Sequence, residues 1–314
     1  MRFTAILLSA LFIFACTKKE ETQTEEKRYK IGVAKIIAHP ALDAVEKGLI
    51  DELTERGIKA DYDLQSANGE FSTAASIAAR FKDEKVDVAV GIATPTALAL
   101  LNGLGRETPI VFSAVTDPIS AGLRTSNEKD AANVTGVSDM TPVKEQIELM
   151  NRIKPIKTLG HLYNSGEANS VELYKILTEV CGALNIKLVA TTVTNTSEVR
   201  QATGFLVHEK VDAIYVSTDN VVVAAMQSVT TVAEKNNIPV VSADPVSAEG
   251  SGALVAYGVD YYTAGRQTGI IIAEILNGKF AGDIPVKYML TKDELSLYFD
   301  KSVGERLNLE LKTE

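Results

Sequence analysis

The chain has little of what catalysis is usually built from. Its 314 residues include only two cysteines and three histidines. No stretch has the spacing of a phosphate loop, a dinucleotide-binding turn, a zinc-protease helix or a nucleophile elbow. His39, His161 and His208 fall in separate segments without metal-ligand spacing, so neither a metal nor an organic cofactor is expected. With Cys16 at the end of an apolar leader, Cys181 is left alone inside a helical run. No disulfide framework can form within the chain, and Cys181 reads as a buried apolar residue. The net charge is −9 and no basic stripe is present to neutralise phosphates, which argues against a nucleic-acid partner. Beyond residue 16 no apolar run approaches the length of a membrane span, and no solenoid-length repeat occurs.

What is present is an ordinary globular composition, 46% hydrophobic and 23% charged, with length enough for two domains. Residues 1–16 read as a targeting segment: Arg2 gives the charged start and residues 3–14 an apolar stretch too short to span comfortably. Its end, Ile13-Phe14-Ala15-Cys16, resembles a bacterial lipobox, in which the residue after the cut is a lipidated cysteine. An acylated Cys16 would hold the protein to a membrane on its extracytoplasmic side; the other reading is a secretory signal cut elsewhere. Residues 17–28 are polar and charged without an apolar face and read as a tether.

From Tyr29 onward, short apolar runs alternate with helical patterns. Strands are expected at 30–37, 58–64, 86–90, 109–115 and 133–137, with helices at 41–56, 71–82 and 97–104 between the first four. The rhythm then restarts: strands at 158–163, 187–192, 213–216, 239–242 and 253–257, helices at 142–153, 170–184, 197–208 and 221–236. A long helix at 261–276, a short strand at 284–289 and a polar C-terminal segment complete the chain. Such alternation predicts an α/β protein with two doubly wound parallel-sheet lobes.

Ligands of open α/β sheets collect at the carboxyl ends of strands, on helix N-termini. The polar residues there are the candidate site. Thr94 and Thr96 flank Pro95 at the start of a helix, with Thr94 placed as N-cap and the free N–H groups open to an anion. Ser113, Thr116 and Asp117 close the next strand. Asn164, Ser165, Glu167, Asn169 and Ser170 follow the strand at 158–163, and each can equally serve a turn or a cap. Asp219, with Asn220, is either an N-cap carboxylate or the partner of a ligand ammonium. Asp244 has the same two readings beside Pro245. His39 faces the predicted cleft and reads equally as a cleft-lining residue or as part of the loop with Pro40; His161 reads as core and His208 as a helix C-terminal residue.

Several of these runs together resemble one group of bacterial proteins. They are His39-Pro40-Ala41-Leu42-Asp43, Gly91-Ile92-Ala93-Thr94-Pro95-Thr96-Ala97, Ala114-Val115-Thr116-Asp117-Pro118 and Asn133-Val134-Thr135-Gly136-Val137-Ser138-Asp139. Tyr163-Asn164-Ser165 and Asp212-Ala213-Ile214-Tyr215 with Asp219-Asn220 follow in the same order. The set is similar to the ABC transporter substrate-binding lipoproteins related to the tryptophan-binding protein of Gram-positive bacteria. That resemblance implies the type I periplasmic-binding-protein fold: two lobes, three crossovers near 138–142, 258–261 and 285–287, and a ligand trapped by hinge closure. One lobe would comprise 29–140 and 260–285, the other 141–259 and 286–314. The function implied is capture of a small amino-acid-like solute, aromatic or large and apolar, with Ile37 in the first loop near its side chain. Delivery would be to ABC permease subunits. A sensory module, a receptor for a nucleoside or another uncharged solute, and an enzyme on the same lobes are the rival readings. The lack of a paired nucleophile and base stands against the last.

Overall fold

A computed structural model describes residues 27–105, 107–125 and 133–310. The leader, Cys16 and most of the expected tether lie outside the described residues. Two six-stranded sheets organise the chain. The first contains β1 (Tyr29–Lys35), β2 (Ala60–Ser66), β3 (Val88–Ile92), β4 (Ile110–Ser113), β5 (Val134–Ser138) and β11 (Lys287–Tyr288), in the order β11-β5-β4-β3-β1-β2. The second contains β6 (Thr158–Asn164), β7 (Lys187–Val193), β8 (Ala213–Val216), β9 (Val240–Ser242), β10 (Val255–Val259) and β12 (Leu295–Phe299), in the order β12-β10-β9-β8-β6-β7. Every pairing is parallel except that of β12 with β10. The central strands β3, β4, β5, β8 and β9 are buried along their whole length, as strands covered by helices on both faces must be.

The first sheet is covered by α1 (Pro40–Glu55), α2 (Phe71–Asp83), α3 (Thr94–Leu104) and α10 (Tyr261–Leu276). The helix α10 comes late in sequence but packs along α1, and glycine allows the approach. A Cβ on Gly48 would meet the Tyr262 carbonyl oxygen at 2.3 Å, and one on Gly265 the Val45 carbonyl oxygen at 2.2 Å. Arg266 then clamps the two helices through Glu52 at 2.6 Å and Glu55. The second sheet carries α4 (Val143–Ile153), α5 (Ala168–Ala183), α6 (Val199–His208), α7 (Asn220–Ala224), α8 (Met226–Glu234), α9 (Pro245–Ala248) and α11 (Lys301–Leu307).

The chain passes between the sheets after β5, after β10 and after β11. The third passage therefore lies at 289–294, later than the 285–287 expected, because Lys287 and Tyr288 pair with Val137 and Ser138 of the first sheet. Two other expectations change. The helix expected at 221–236 breaks at Ala225, after three consecutive β-branched valines that lose side-chain freedom in a helix. The polar C-terminal segment contains β12 and α11. β12 is a half-exposed edge strand, and α11 starts where Asp300 accepts the Ser302 and Val303 N–H groups at 2.9 and 3.1 Å.

Candidate ligand site

Strand order locates the site. In each sheet the order reverses beside the first strand of the lobe, between β1 and β3 and between β6 and β8. Such reversals open a crevice at the carboxyl ends of the strands. Between the lobes lies a small, tightly lined cavity. His39, Leu42, Ala114 and Tyr261 reach it from the first lobe, and Asn169, Thr218, Asn220, Val223 and Asp244 from the second. Asp139 joins them from the segment between β5 and α4.

Its lining is acidic and rich in hydrogen-bond acceptors. Asp139 is buried; its Oδ2 accepts the Tyr261 hydroxyl at 2.9 Å and its Oδ1 the Thr116 hydroxyl at 3.3 Å. Burial outweighs these bonds and raises its pKa. Asp244 caps α9 by accepting the Ser247 N–H at 3.0 Å, and burial, with the charge of Asp139 adding to it, pushes its carboxyl up to about 6. Among the described residues no lysine or arginine lines the cavity. His39 does not compensate, since burial lowers its imidazole to about 4 despite the Asn220 amide beside it. Both His39 ring nitrogens, Asn169 Oδ1 and Thr218 Oγ1 are buried without a hydrogen-bond partner in the protein. Folded proteins seldom leave such groups unpaired away from a binding site.

Behind the cavity wall a second acidic pair is fully engaged. Asp219 Oδ2 accepts the Asn164 N–H at 2.5 Å, and its Oδ1 caps α7 through the Val222 N–H at 2.9 Å. Glu167 precedes α5 and collects three amides: Asn164 Nδ2 at 3.4 Å, Asn169 Nδ2 at 3.2 Å and Asn220 Nδ2. Burial raises both carboxyls, and the charge of Asp219 adds to the rise at Glu167. Thus Asp219 sits in the hydrogen-bond scaffold rather than on the cavity wall. Its two oxygens take backbone donors from Asn164 and Val222, which tie it to β6 and α7.

Of the residues singled out in the sequence, His39, Asn169, Asn220 and Asp244 line the cavity. Thr116 and Asn164 act one step back, on Asp139 and Glu167. Ser113 bonds the Thr268 hydroxyl of α10 at 2.7 Å and serves the first lobe's packing. Asp117 caps a turn through the Ile119 and Ser120 N–H groups, Ser165 is exposed, and Ile37 stays off the cavity. Thr94 is the first residue of α3 and not its cap. That place is held by Ala93, whose φ of 77° is costly for a residue with a Cβ. Thr96 donates to the Ile92 and Ala93 carbonyls at 2.5 and 3.0 Å, while Thr94 Oγ1 is buried and unpartnered. Asp139 and Tyr261 were missed, although Asp139 follows β5 directly and Tyr261 stands two residues after β10, where the strand-end rule applies as well. Core readings hold for His161, whose Nδ1 lies 3.0 Å from the Tyr215 carbonyl oxygen, and for Cys181.

Residues 30–311 match the family described as ABC transporter substrate binding protein. The chain belongs to that family. Among its relatives is a tyrosine-binding protein of Clostridioides difficile, 36% identical over 93% of this chain and 84% of its own. A conserved domain protein from Vibrio cholerae superposes with a TM-score of 0.87 at 39% identity, covering 91% of this chain and 96% of its own. An ABC domain from Streptococcus pneumoniae in complex with L-Trp gives 0.85 at 30%, with the same coverage. The ligand-free, open structure of a Clostridium difficile substrate-binding protein gives 0.67 at 36%, covering 90% and 95%. As a substrate-binding protein of an ABC transporter, the chain is a solute-binding protein and not an enzyme. Its fold is that of type I periplasmic binding proteins, and its two lobes face each other across the cavity described above.

Proposed function

We propose that the protein is the lipid-anchored, extracytoplasmic receptor of an ABC importer, and that it closes two lobes over a free amino acid with an aromatic or large apolar side chain. The observation that carries this reading is the interlobe cavity, with unpartnered polar atoms contributed from both sides. The tyrosine-binding and L-Trp-bound relatives support the ligand class. Hinge closure is supported by a contrast: the chain superposes better on the L-Trp complex than on the open relative, although it is less identical to the former. In this pose the ligand's carboxylate faces the start of α3, where the Thr94 hydroxyl is buried without a partner among the described residues and the first turn of a helix leaves N–H groups without intrahelical acceptors. Leu42, Val223 and Tyr261 flank the side chain. Anchoring rests on Ala15-Cys16 and the polar tether behind it.

A thermal-shift screen of the mature protein against amino acids, nucleosides and sugars tests the ligand class. Binding to the native state alone raises the melting temperature with ligand excess. Tyrosine, tryptophan or another large apolar amino acid should give the largest shift. A response to a nucleoside or sugar with none to any amino acid would refute the reading.

A further inference from the structure

We infer that Asp139 and Asp244 form the ammonium-binding pole of the cavity, with the Asn169 amide oxygen as the third acceptor; this deepens, and rests on, the amino-acid reading above. Sequence logic favours Asp219 for this role, and its place behind the cavity wall removes it. Both Asp219 oxygens accept backbone N–H groups, and Asp219 is not among the residues lining the cavity. Asp139 and Asp244 both line it, are 3% and 1% exposed, and among the described residues share it with no lysine or arginine.

Asn169 points independently to a donor ligand. It is 5% exposed and lines the same cavity. Its Nδ2 is engaged by Glu167 Oε2 at 3.2 Å, the Thr218 carbonyl at 3.1 Å and Ser170 Oγ at 3.4 Å. Its Oδ1 is buried and has no partner. With the nitrogen held on the scaffold, the oxygen is the end left for a ligand. Two carboxylates and one amide oxygen match the three N–H donors of a primary ammonium. A buried carboxylate pair without a counter-ion is unfavourable, so a cationic ligand group relieves it on binding. The ligand's own carboxylate must then lie at the far end, away from this pole.

Calorimetric titrations on the wild type, Asp139→Asn, Asp244→Asn and Asp219→Asn separate the alternatives. The probes are L-tyrosine and L-tryptophan, with 3-(4-hydroxyphenyl)propionate and indole-3-propionate as the analogues lacking the amine. The wild type should prefer each amino acid over its analogue. Asp139→Asn and Asp244→Asn should each weaken amino-acid binding about thirty-fold or more and narrow that preference, because a desolvated ammonium loses a charged partner. Asp219→Asn should keep the preference. Wild-type preference retained in both Asp139→Asn and Asp244→Asn, or lost only in Asp219→Asn, would overturn the assignment. Ligand-free melting curves of each variant establish that it is folded. If the wild type binds neither L-tyrosine nor L-tryptophan, nor phenylalanine, leucine, isoleucine or methionine, the ligand class fails, and tyramine, which carries the ammonium alone, decides the acid pair. A tyramine response abolished in Asp244→Asn sustains the pair, and no wild-type response to tyramine overturns it.

Discussion

Glu167 and Asp219 on one side, and Asp139 and Asp244 on the other, are two acidic pairs of nearly equal burial with different places relative to the cavity. All four stand near strand ends, and Glu167, Asp219 and Asp244 directly precede helices. The first pair accepts three side-chain amides and two backbone N–H groups, and so ties the ends of β6 and β8 together. The second pair lines the cavity with fewer donors and no cation. Proximity to a cleft therefore does not make an acid a ligand group. What decides is whether its carboxyl reaches the cavity: Asp219 takes backbone donors behind the wall and positions its neighbours, whereas Asp139 and Asp244 line the cavity.

The largest expected effect breaks the scaffold pair. Asp219→Ala leaves the Asn164 and Val222 N–H groups buried without acceptors and removes the α7 cap. Stability in urea denaturation should fall by about 3 kcal/mol, the sum expected for a lost cap and orphaned donors. An unchanged unfolding midpoint would remove the distinction between the pairs.

A somewhat smaller effect of opposite sign belongs to the cavity pair. Asp244 titrates near 6 in the folded protein against 3.8 ordinarily, so the folded state holds its proton more tightly than the unfolded one. Its contribution to stability is therefore present at low pH and is lost as pH rises from about 4 through 6. His39 and His161, held neutral by burial down to about 4, act in the opposite direction: their contribution is lost as pH falls from 6.5 toward 4. The difference between wild type and Asp244→Asn isolates the acid. Without ligand, Asp244→Asn should be more stable by about 1–2 kcal/mol at pH 7, with the gain vanishing near pH 4. Denaturation across that range checks it, and a destabilised variant at pH 7 would contradict it.

The smallest effect is a control on both. Ser165 lies in sequence between the scaffold residues Asn164 and Glu167, yet it is exposed and off the cavity. Ser165→Ala should change neither melting temperature nor ligand affinity beyond about 0.5 kcal/mol. A larger loss of affinity by calorimetry would extend the site to the β6–α5 turn.

Much of this fold was legible because buried parallel strands write themselves as short apolar runs, and helices between them as amphipathic ones. The exceptions are local. The break at Ala225 follows valines that suit a buried helix as well as a strand, and β12 sits at a sheet edge where half its residues need no apolar character. The site was legible in outline only. His39, Asn169, Asn220 and Asp244 follow from strand ends, and they do line the cavity. Asp219 and Asp244 are equivalent as sequence, each an aspartate between a strand and a helix. Only the Asn164 N–H, brought from 55 residues away, tells them apart. Asp139 and Tyr261 lie on or beside the passages between lobes, and their meeting at 2.9 Å spans 122 residues. No local pattern encodes such a contact.

The central contrast can be read directly from the carboxyl groups themselves. Protein labelled with ¹³C at aspartate side-chain carboxyls would be titrated with L-tyrosine, signals being assigned by the single Asn variants. The account predicts that the Asp139 and Asp244 resonances move on binding and that their pKa values fall as an ammonium enters, while the Asp219 resonance stays in place. A shift confined to Asp219, with Asp139 and Asp244 unmoved at saturation, would contradict it.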